Sequence, residues 1–492
     1  MSASGRRSAA LSPQLHPSDL TALRALIVGA AREGTALARA LAHWGAHVTL
    51  TDQRPKVLYQ DVRDLQGPNV RLALGVSRPD LGGVDVLFLS PGVPPTAAVV
   101  QQARAQGLPI SSEPRLFTQM CTAPVIGITG SSGKTTTTTL VGRMCDAQGL
   151  ETWVGGNIGE PLIGRLVADA SPDVAVMELS SFQLELFSPD YQGPEVAARR
   201  SSASRVVSVA GWSPHVAAIT NITPNHLDRH PSMEDYIRAK TNILHYQTQD
   251  DWAVLNLDND ITRHLMNEVK GKQLAFSLEE PVAEGAYLAD DVLLLRFGGQ
   301  ERLLCRTSDI RLRGRHNVAN VLAAACCALA AGVGVDAIRQ EATTFEGVPH
   351  RLEVVRIWRG ITFVNDSIAT SPERAIAALR SYTEPLVLLA GGRDKHLPWD
   401  TWAEVVREKV RIVVAFGEAV PIIARALESS AVEGGEAMAL HCVDTMEEAV
   451  SLAARLGRAG DVVLLSPGGT SFDAFIDFEA RGQRFRELVA AL

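Results

Sequence analysis

Cysteine is sparse in this sequence and poorly spaced for chemistry. Six occur, at positions 121, 145, 305, 326, 327 and 442, and no two form a CxxC pair. This excludes a zinc-ribbon site or a disulfide framework and predicts buried, reduced thiols in a cytoplasmic protein. Long apolar runs are also missing. None reaches the roughly 18–20 residues needed to span a bilayer, so no membrane span is expected. Residues 1–20 are rich in Ser, Ala and Pro, with Arg6 and Arg7. They lack the apolar core of about 7–15 residues that a secretory signal needs, and read as a disordered extension. Positive charge is in deficit. The formal net charge is -8, and the one basic stretch lies within 191–212, which argues against a nucleic-acid partner. What remains is a globular composition, 46% hydrophobic and 21% charged. The 492 residues suit three domains of about 150 each.

The organising stretch is Ile126-Gly-Ile-Thr-Gly-Ser-Ser-Gly-Lys-Thr-Thr136. Residues 124–128 read as a buried strand, Gly130, Ser131, Ser132 and Gly133 as a loop, and Lys134 as the opening of a Thr-rich helix. Such a strand, loop and helix start cradle phosphate, because backbone N–H groups and the helix dipole face an anion. Lys134 brings a charge for the β- and γ-phosphates, and the Thr135 or Thr136 hydroxyl suits a Mg²⁺ shell. The full P-loop pattern places Gly where this chain has Ile128.

Upstream, residues 23–29, 30–44 and 47–52 read as a Rossmann-like βαβ unit, with Ala31 in place of the middle glycine of the fingerprint. A further strand over 84–89 ends at Ser90-Pro-Gly92. Gly29 to Gly34, Asp52 to Arg54 and Ser90 to Gly92 thus fall at carboxyl ends of strands, where an open sheet binds ligands. A phosphorylated, nucleotide-like ligand is expected there, in a domain over 21–112.

A central domain over 113–347 carries the cradle. Asn157 sits between glycines. Glu178 ends a strand over 173–178, where a Mg²⁺ ligand belongs. His226 and Asp228 follow a strand over 216–221 and suit a divalent cation. Lys240 lies on a helix over 232–245, with Ser232 as N-cap and Asp235 at N3; its spacing alone gives a solvated lysine. Asn317 and Asn320 share one face of an Ala-rich helix start, placed to cap it or to touch a base or ribose. Residues 191–212 read as a surface insertion. The last domain, 348–492, has strands over 362–365, 386–390, 412–416 and 462–465. It is expected to form a second open parallel sheet, with Lys395 and Ser471 at strand ends suited to a small anionic substrate.

Taken in order, these motifs resemble the Mur ligases, ATP-dependent amide-forming enzymes of peptidoglycan precursor synthesis. Within that family the chain is most similar to the branch that joins glutamate to UDP-N-acetylmuramoyl-L-alanine. The resemblance runs from about residue 23 to the end and rests on Thr-Gly-Ser-Ser-Gly-Lys-Thr-Thr, Gly-Gly-Asn-Ile-Gly, Glu-Leu-Ser-Ser-Phe-Gln-Leu, Asn-His-Leu-Asp-Arg, Gly-Arg-His-Asn-Val-Ala-Asn, Pro-His-Arg and Asn-Asp-Ser. It implies an α/β fold of three domains: Rossmann-like for UDP, P-loop for ATP, and Rossmann-like for glutamate. It implies that Lys134 holds ATP, that Thr135, Glu178 and His226 face two Mg²⁺, and that Lys240 is a carbamate bridging to metal. Asn157 would contact the muramoyl substrate. Asn317, Asn320, Arg351 and Asp366 would line the nucleotide. Thr370, Lys395, Ser471 and Phe478 would hold glutamate, and Arg32, Glu33, Asp52, Arg54, Ser90 and Gly92 the UDP moiety. A monomer is expected.

The sequence departs from the family twice. Where members often carry Lys-Ala-Thr after Asp-Ser, this chain has Ile368-Ala-Thr370, so a cation is missing beside the glutamate site. The insertion over 191–212 is the second departure. Competing readings are the same chemistry with L-glutamate or another amino acid, a folylpolyglutamate-type ligase, a nucleotide-switched binding protein, and an NAD(P) oxidoreductase using Gly29 to Asp52.

Overall fold

The computed structural model describes residues 15–492 apart from 55–61, 63–64, 66, 169, 189–190, 192–210, 227–228, 395–396 and 431–437. The fold is α/β, with three sheets distributed over two compact units. The first unit spans residues up to 345 apart from 312–314, and the second holds 312–314 and 346–492.

The first sheet is wholly parallel, in the order Val70–Leu74, His47–Asp52, Arg24–Val28, Val86–Leu89, Ile110–Ser111. The order reverses between Arg24–Val28 and Val86–Leu89, which places Gly29 and Ser90 side by side at the switch point. Strand Val70–Leu74 was not evident in the sequence, since its residues are only partly buried. Of the disordered extension expected over 1–20, residues 1–14 lie outside the described residues and 15–20 are ordered. Leu15 and Leu20 are buried in the core and Pro17–Leu20 forms a 3₁₀ turn.

The second sheet has nine strands. Its parallel part runs Thr152–Gly156, Val174–Glu178, Val125–Thr129, Val216–Ile219, Trp252–Asn256, Lys272–Ser277, Gly285–Ala289. Val292–Phe297 and Gln300–Arg306 then add antiparallel strands at one edge. The middle strands are buried along their whole length, as expected of a sheet covered on both faces. Ile128 lies within strand Val125–Thr129, in register with Glu178, so the missing P-loop glycine falls on a strand rather than in the loop. The Ala-rich helix Arg315–Ala330 and helix Lys134–Ala147 pack together, and small side chains let them approach.

The second unit contains the third sheet, in the order Glu353–Trp358, Ile361–Asn365, Val462–Gly468, Leu386–Gly391, Val410–Phe416, Ala439–Val443. It is parallel except for Glu353–Trp358, an antiparallel edge strand that the sequence reading missed. That strand opens half-exposed, with Val354 49% and Ile357 68% accessible, so its burial pattern carries little signal.

Candidate active site

The phosphate cradle is built by backbone constraint. Gly130 has a φ of 152°, and a Cβ there would lie 1.9 Å from Thr220 Oγ1. Gly133 caps helix Lys134–Ala147 with a φ of 80°, and a Cβ there would lie 2.2 Å from Asn320 Oδ1. The positive φ and the close neighbour favour glycine at both positions. The Ser131 and Ser132 N–H groups donate to the Asn221 carbonyl and Asn221 Oδ1 at 2.9 and 3.0 Å. Helix Lys134–Ala147 begins at this loop, and the N–H groups of its first turn form the helix end that suits an anion. Lys134 Nζ curls over the loop, donating to the Gly130 and Ser131 carbonyls at 2.8 and 3.3 Å. Thr136 is buried, whereas the Thr135 hydroxyl donates to Glu178 Oε2 at 2.8 Å. Of the two threonines, Thr135 is the one that suits a metal shell.

Glu178 links the cradle to its neighbours. The adjacent parallel strand brings it beside Ile128, and its Oε1 accepts from Asn157 Nδ2 at 2.7 Å. Lys240 proves to be the surprise. It is 2% exposed, and its ammonium donates to the Gly130 carbonyl at 2.8 Å and Thr129 Oγ1 at 3.3 Å. Burial first, and the Lys134 charge second, push its pKa well below the ordinary lysine value, while Glu178 pulls the other way. The solvated reading of Lys240 is thus overturned. Tyr236, Ala239 and Ile243 share its helix face, and all are buried. That 3–4 spacing was the available signal.

His226 adopts a φ of 55°. Its ring stands edge-on to Phe182 at 5.1 Å and lies 6.4 Å from Tyr236, whose own ring carries Lys240 Nζ at 4.9 Å. Asp228 lies outside the described residues. A second histidine, not singled out from sequence, is structural: buried His230 meets Ser181 Oγ at 3.0 Å and Glu185 at 3.1 Å. Asn320 Nδ2 donates to Asn317 Oδ1 at 3.0 Å, so the i, i+3 amides do share a face beside Gly133.

At the first sheet, Asp52 accepts from the Ala30 N–H at 3.0 Å and from Arg54 Nε and Nη2 at 2.9 and 2.7 Å. Those Arg54 hydrogen bonds hold the carboxyl down to about 2. Ser90 Oγ donates to the Gly29 carbonyl at 3.0 Å, and the space beside Gly92 is open. Two expected UDP residues also bond within the chain. Arg32 donates to the Gly159 carbonyl at 2.5 Å. Glu33 accepts from Gln183 Nε2 at 2.7 Å, and its other oxygen is buried without a hydrogen bond. Desolvation, then the charge of Glu113, raises the Glu33 pKa. Glu33 thus links helix Arg32–His43 to the segment after Glu178. Gln183, which also completes the capping box of helix Ser181–Glu185, is the residue the sequence reading passed over.

In the second unit Asp366 is buried, accepting from Ser466 Oγ at 2.9 Å and the Leu352 N–H at 3.2 Å. Burial raises it to about 7, against the pull of Ser466 and Arg351. Thr370 closes the following loop by donating its N–H to the Ile368 carbonyl at 2.8 Å. Phe478 opens the last helix and its carbonyl accepts from Ser367 Oγ at 2.8 Å; Ser471 is buried. Arg481, wholly buried, braces this corner through Ser367 and the Gly469 carbonyl. Lys395 lies outside the described residues, as does nearly all of the 191–212 insertion.

Residues 128–328 match the Mur ligase middle domain and residues 350–469 the Mur ligase glutamate ligase domain. A UDP-N-acetylmuramoylalanine–D-glutamate ligase of Acetivibrio thermocellus is 40% identical over 470 residues, which is 95% of this chain and 96% of that protein. The chain belongs to the Mur ligase family. A second ligase of the same name, from Symbiobacterium thermophilum, is 41% identical and covers 95% of this chain and 98% of its own. Among solved structures, the UDP-N-acetylmuramate-alanine ligase MurC of Thermotoga maritima superposes with a TM-score of 0.57 at 17% identity, covering 95% of this chain and 99% of that one. The MurF ligase of T. maritima in complex with ADP gives 0.52 at 17% identity, covering 97% and 98%. These likenesses carry the fold alone. In a Mur ligase, the oxidoreductase reading of Gly29 to Asp52 has no support left.

Proposed function

We propose that this Mur ligase joins D-glutamate to UDP-N-acetylmuramoyl-L-alanine at the expense of ATP. The observation that carries the reading is about 40% identity, over nearly the whole chain, to ligases named for that reaction. The substrate carboxylate attacks the γ-phosphorus of ATP, giving an acyl phosphate and ADP. The amine of glutamate attacks the acyl carbon, the carbon–oxygen bond to phosphate breaks, and the amine loses a proton. Carboxylate and triphosphate repel, so cations must face both before they can meet.

Lys134 and the first helical turn bind the β- and γ-phosphates, and Asn317 and Asn320 stand beside them for the nucleoside. Arg351 and Asp366 are assigned to nucleotide binding as well. Asn157 and His226 orient the acyl end of the muramoyl substrate, while Asp52, Arg54, Ser90 and Gly92 take UDP. Thr370, Lys395, Ser471 and Phe478 hold glutamate. The residues also fit Mg²⁺. Among those described, no group of three or more His, Cys, Asp and Glu gathers. Mg²⁺ takes few protein ligands when phosphates supply the rest. Thr135, Glu178, His226 and Lys240 would hold two ions, which would supply charge neutralisation at the transferring phosphoryl group. Burial, which pushes the Lys240 pKa down, also suits carbamylation: once deprotonated, the amine's lone pair forms the N–C bond to CO₂ and a proton is released. We place the enzyme in the cytoplasm, where ATP and nucleotide-linked precursors meet, and as a monomer.

The test is phosphate release by the full chain with ATP, Mg²⁺ and UDP-N-acetylmuramoyl-L-alanine, with D- and L-glutamate in parallel. Release with D-glutamate alone is expected. Release with L-glutamate alone would keep the ligase and change the acceptor, and no amino-acid-dependent release would overturn the reading.

A further inference from the structure

The loop Asp366–Thr370 follows strand Ile361–Asn365, and its side chains are unequally available. Asp366, Ser367 and Ala369 are buried, which leaves Ile368 and Thr370 as the residues facing outward. Thr370 offers a hydroxyl and Ile368 offers no charge, although a dicarboxylate is to be bound here. Buried Arg481 reaches this loop but is spent on Ser367 and the Gly469 carbonyl; an exposed guanidinium reaches it too, that of Arg374, in the first turn of helix Pro372–Leu379. It reaches back to the loop, where Nη1 lies 3.4 Å from the Ile368 carbonyl, and its charge is felt at Asp366. That hydrogen bond is at the outer limit of length and is a weak one. Other arginines of this unit are committed to carboxylates: Arg393 to Glu418, Arg411 to Asp461, Arg484 to Glu447 and Arg486 to Glu353. Arg374 is exposed and, among the described residues, pairs with no carboxylate.

We propose that Arg374 binds a carboxylate of the incoming glutamate and so provides the cation that Ile368 does not. This rests on the ligase reading above. A guanidinium presents a fork that matches a carboxylate, so a helix residue reaching back can replace a charge carried on the loop itself. Arg351, whose charge also acts on Asp366, is assigned to the nucleotide.

Steady-state kinetics of the full chain test it. In Arg374→Ala the KM for D-glutamate should rise about 10- to 100-fold, the worth of a charge-assisted contact. KM for ATP and for the muramoyl substrate should stay within about twofold, with kcat little changed. Arg374→Lys should recover part of the loss, and adding Ile368→Lys to Arg374→Ala should recover more, because the charge returns at the loop. An unchanged glutamate KM in a folded Arg374→Ala enzyme would overturn the proposal. So would an equal rise in the KM for ATP, which would make Arg374 a phosphate contact. Failure of the wild-type chain to turn over D-glutamate is a separate result, and it would overturn the function and this assignment together.

Discussion

The first unit contains two loops of the same construction with opposite electrostatics. Gly29 to Gly34 and Gly130 to Gly133 each follow a buried parallel strand and open a helix. Around the second loop two lysines, Lys134 and Lys240, converge on the Gly130 carbonyl. At the first, two arginines bond within the chain itself: Arg54 to Asp52 and Arg32 to the Gly159 carbonyl. Two buried carboxyls, Glu33 and Glu113, have raised pKa values there, both chiefly through desolvation. Loop shape permits an anion in both places, and charge decides which receives the reacting triphosphate. The first loop suits a ligand whose phosphates are positioned but not cleaved.

The largest expected effect comes from removing the charge. Lys134→Ala should lower kcat by about a thousandfold or more, as loss of a phosphate-stabilising group does, with the circular dichroism spectrum unchanged. An activity loss below tenfold would remove the distinction between the loops.

Backbone substitutions separate the loops by substrate. A Cβ on Gly34 would lie 1.9 Å from the Gly29 carbonyl oxygen, which is backbone and cannot yield, whereas at Gly133 it meets the movable Asn320 side chain. Gly34→Ala should therefore raise KM for the muramoyl substrate and lower the unfolding midpoint. Gly133→Ala, with its positive φ costing about 1–2 kcal/mol, should raise KM for ATP. Equal effects on both substrates from either variant would contradict separate roles.

Glu33 sharpens the contrast through pH. A carboxyl with a raised folded-state pKa binds a proton more tightly in the native state than when unfolded. Its stabilisation is complete below the ordinary glutamate value of about 4.3 and is lost as pH rises toward the folded value. Thermal midpoints of the wild type should fall from acid to alkaline pH more steeply than those of Glu33→Gln, which keeps an acceptor for Gln183. Parallel pH profiles would remove Glu33 as a buried protonated group. The smallest effect is expected at Arg54, whose side chain is 61% exposed. Arg54→Ala should cost at most about 1 kcal/mol in chemical denaturation, the range of surface pairs.

Much of this contrast was legible in the sequence, and the remainder was hidden for physical reasons. The cradle from Val125 to the Thr-rich helix showed itself because strand, glycines and lysine are contiguous. Ser232 as N-cap to Asp235 was equally local, and the bond is present. Lys240 was misread because its environment comes from Thr129 and Gly130, more than 100 positions away. Glu33 has a long-range partner of the same kind, Gln183, which motif position did not reveal. Strand Glu353–Trp358 was missed because an antiparallel edge strand mixes buried and exposed residues without a continuous apolar run.

The central claim is that the charged loop serves phosphoryl transfer to the substrate carboxylate. UDP-N-acetylmuramoyl-L-alanine carrying ¹⁸O in its alanyl carboxylate tests this directly, with mass analysis of the phosphate released during turnover with ATP and D-glutamate. The account predicts one labelled oxygen in each phosphate, because the oxygen that attacks the γ-phosphorus leaves with it when the amide forms. Phosphate free of label, accompanied by amide product, would contradict it.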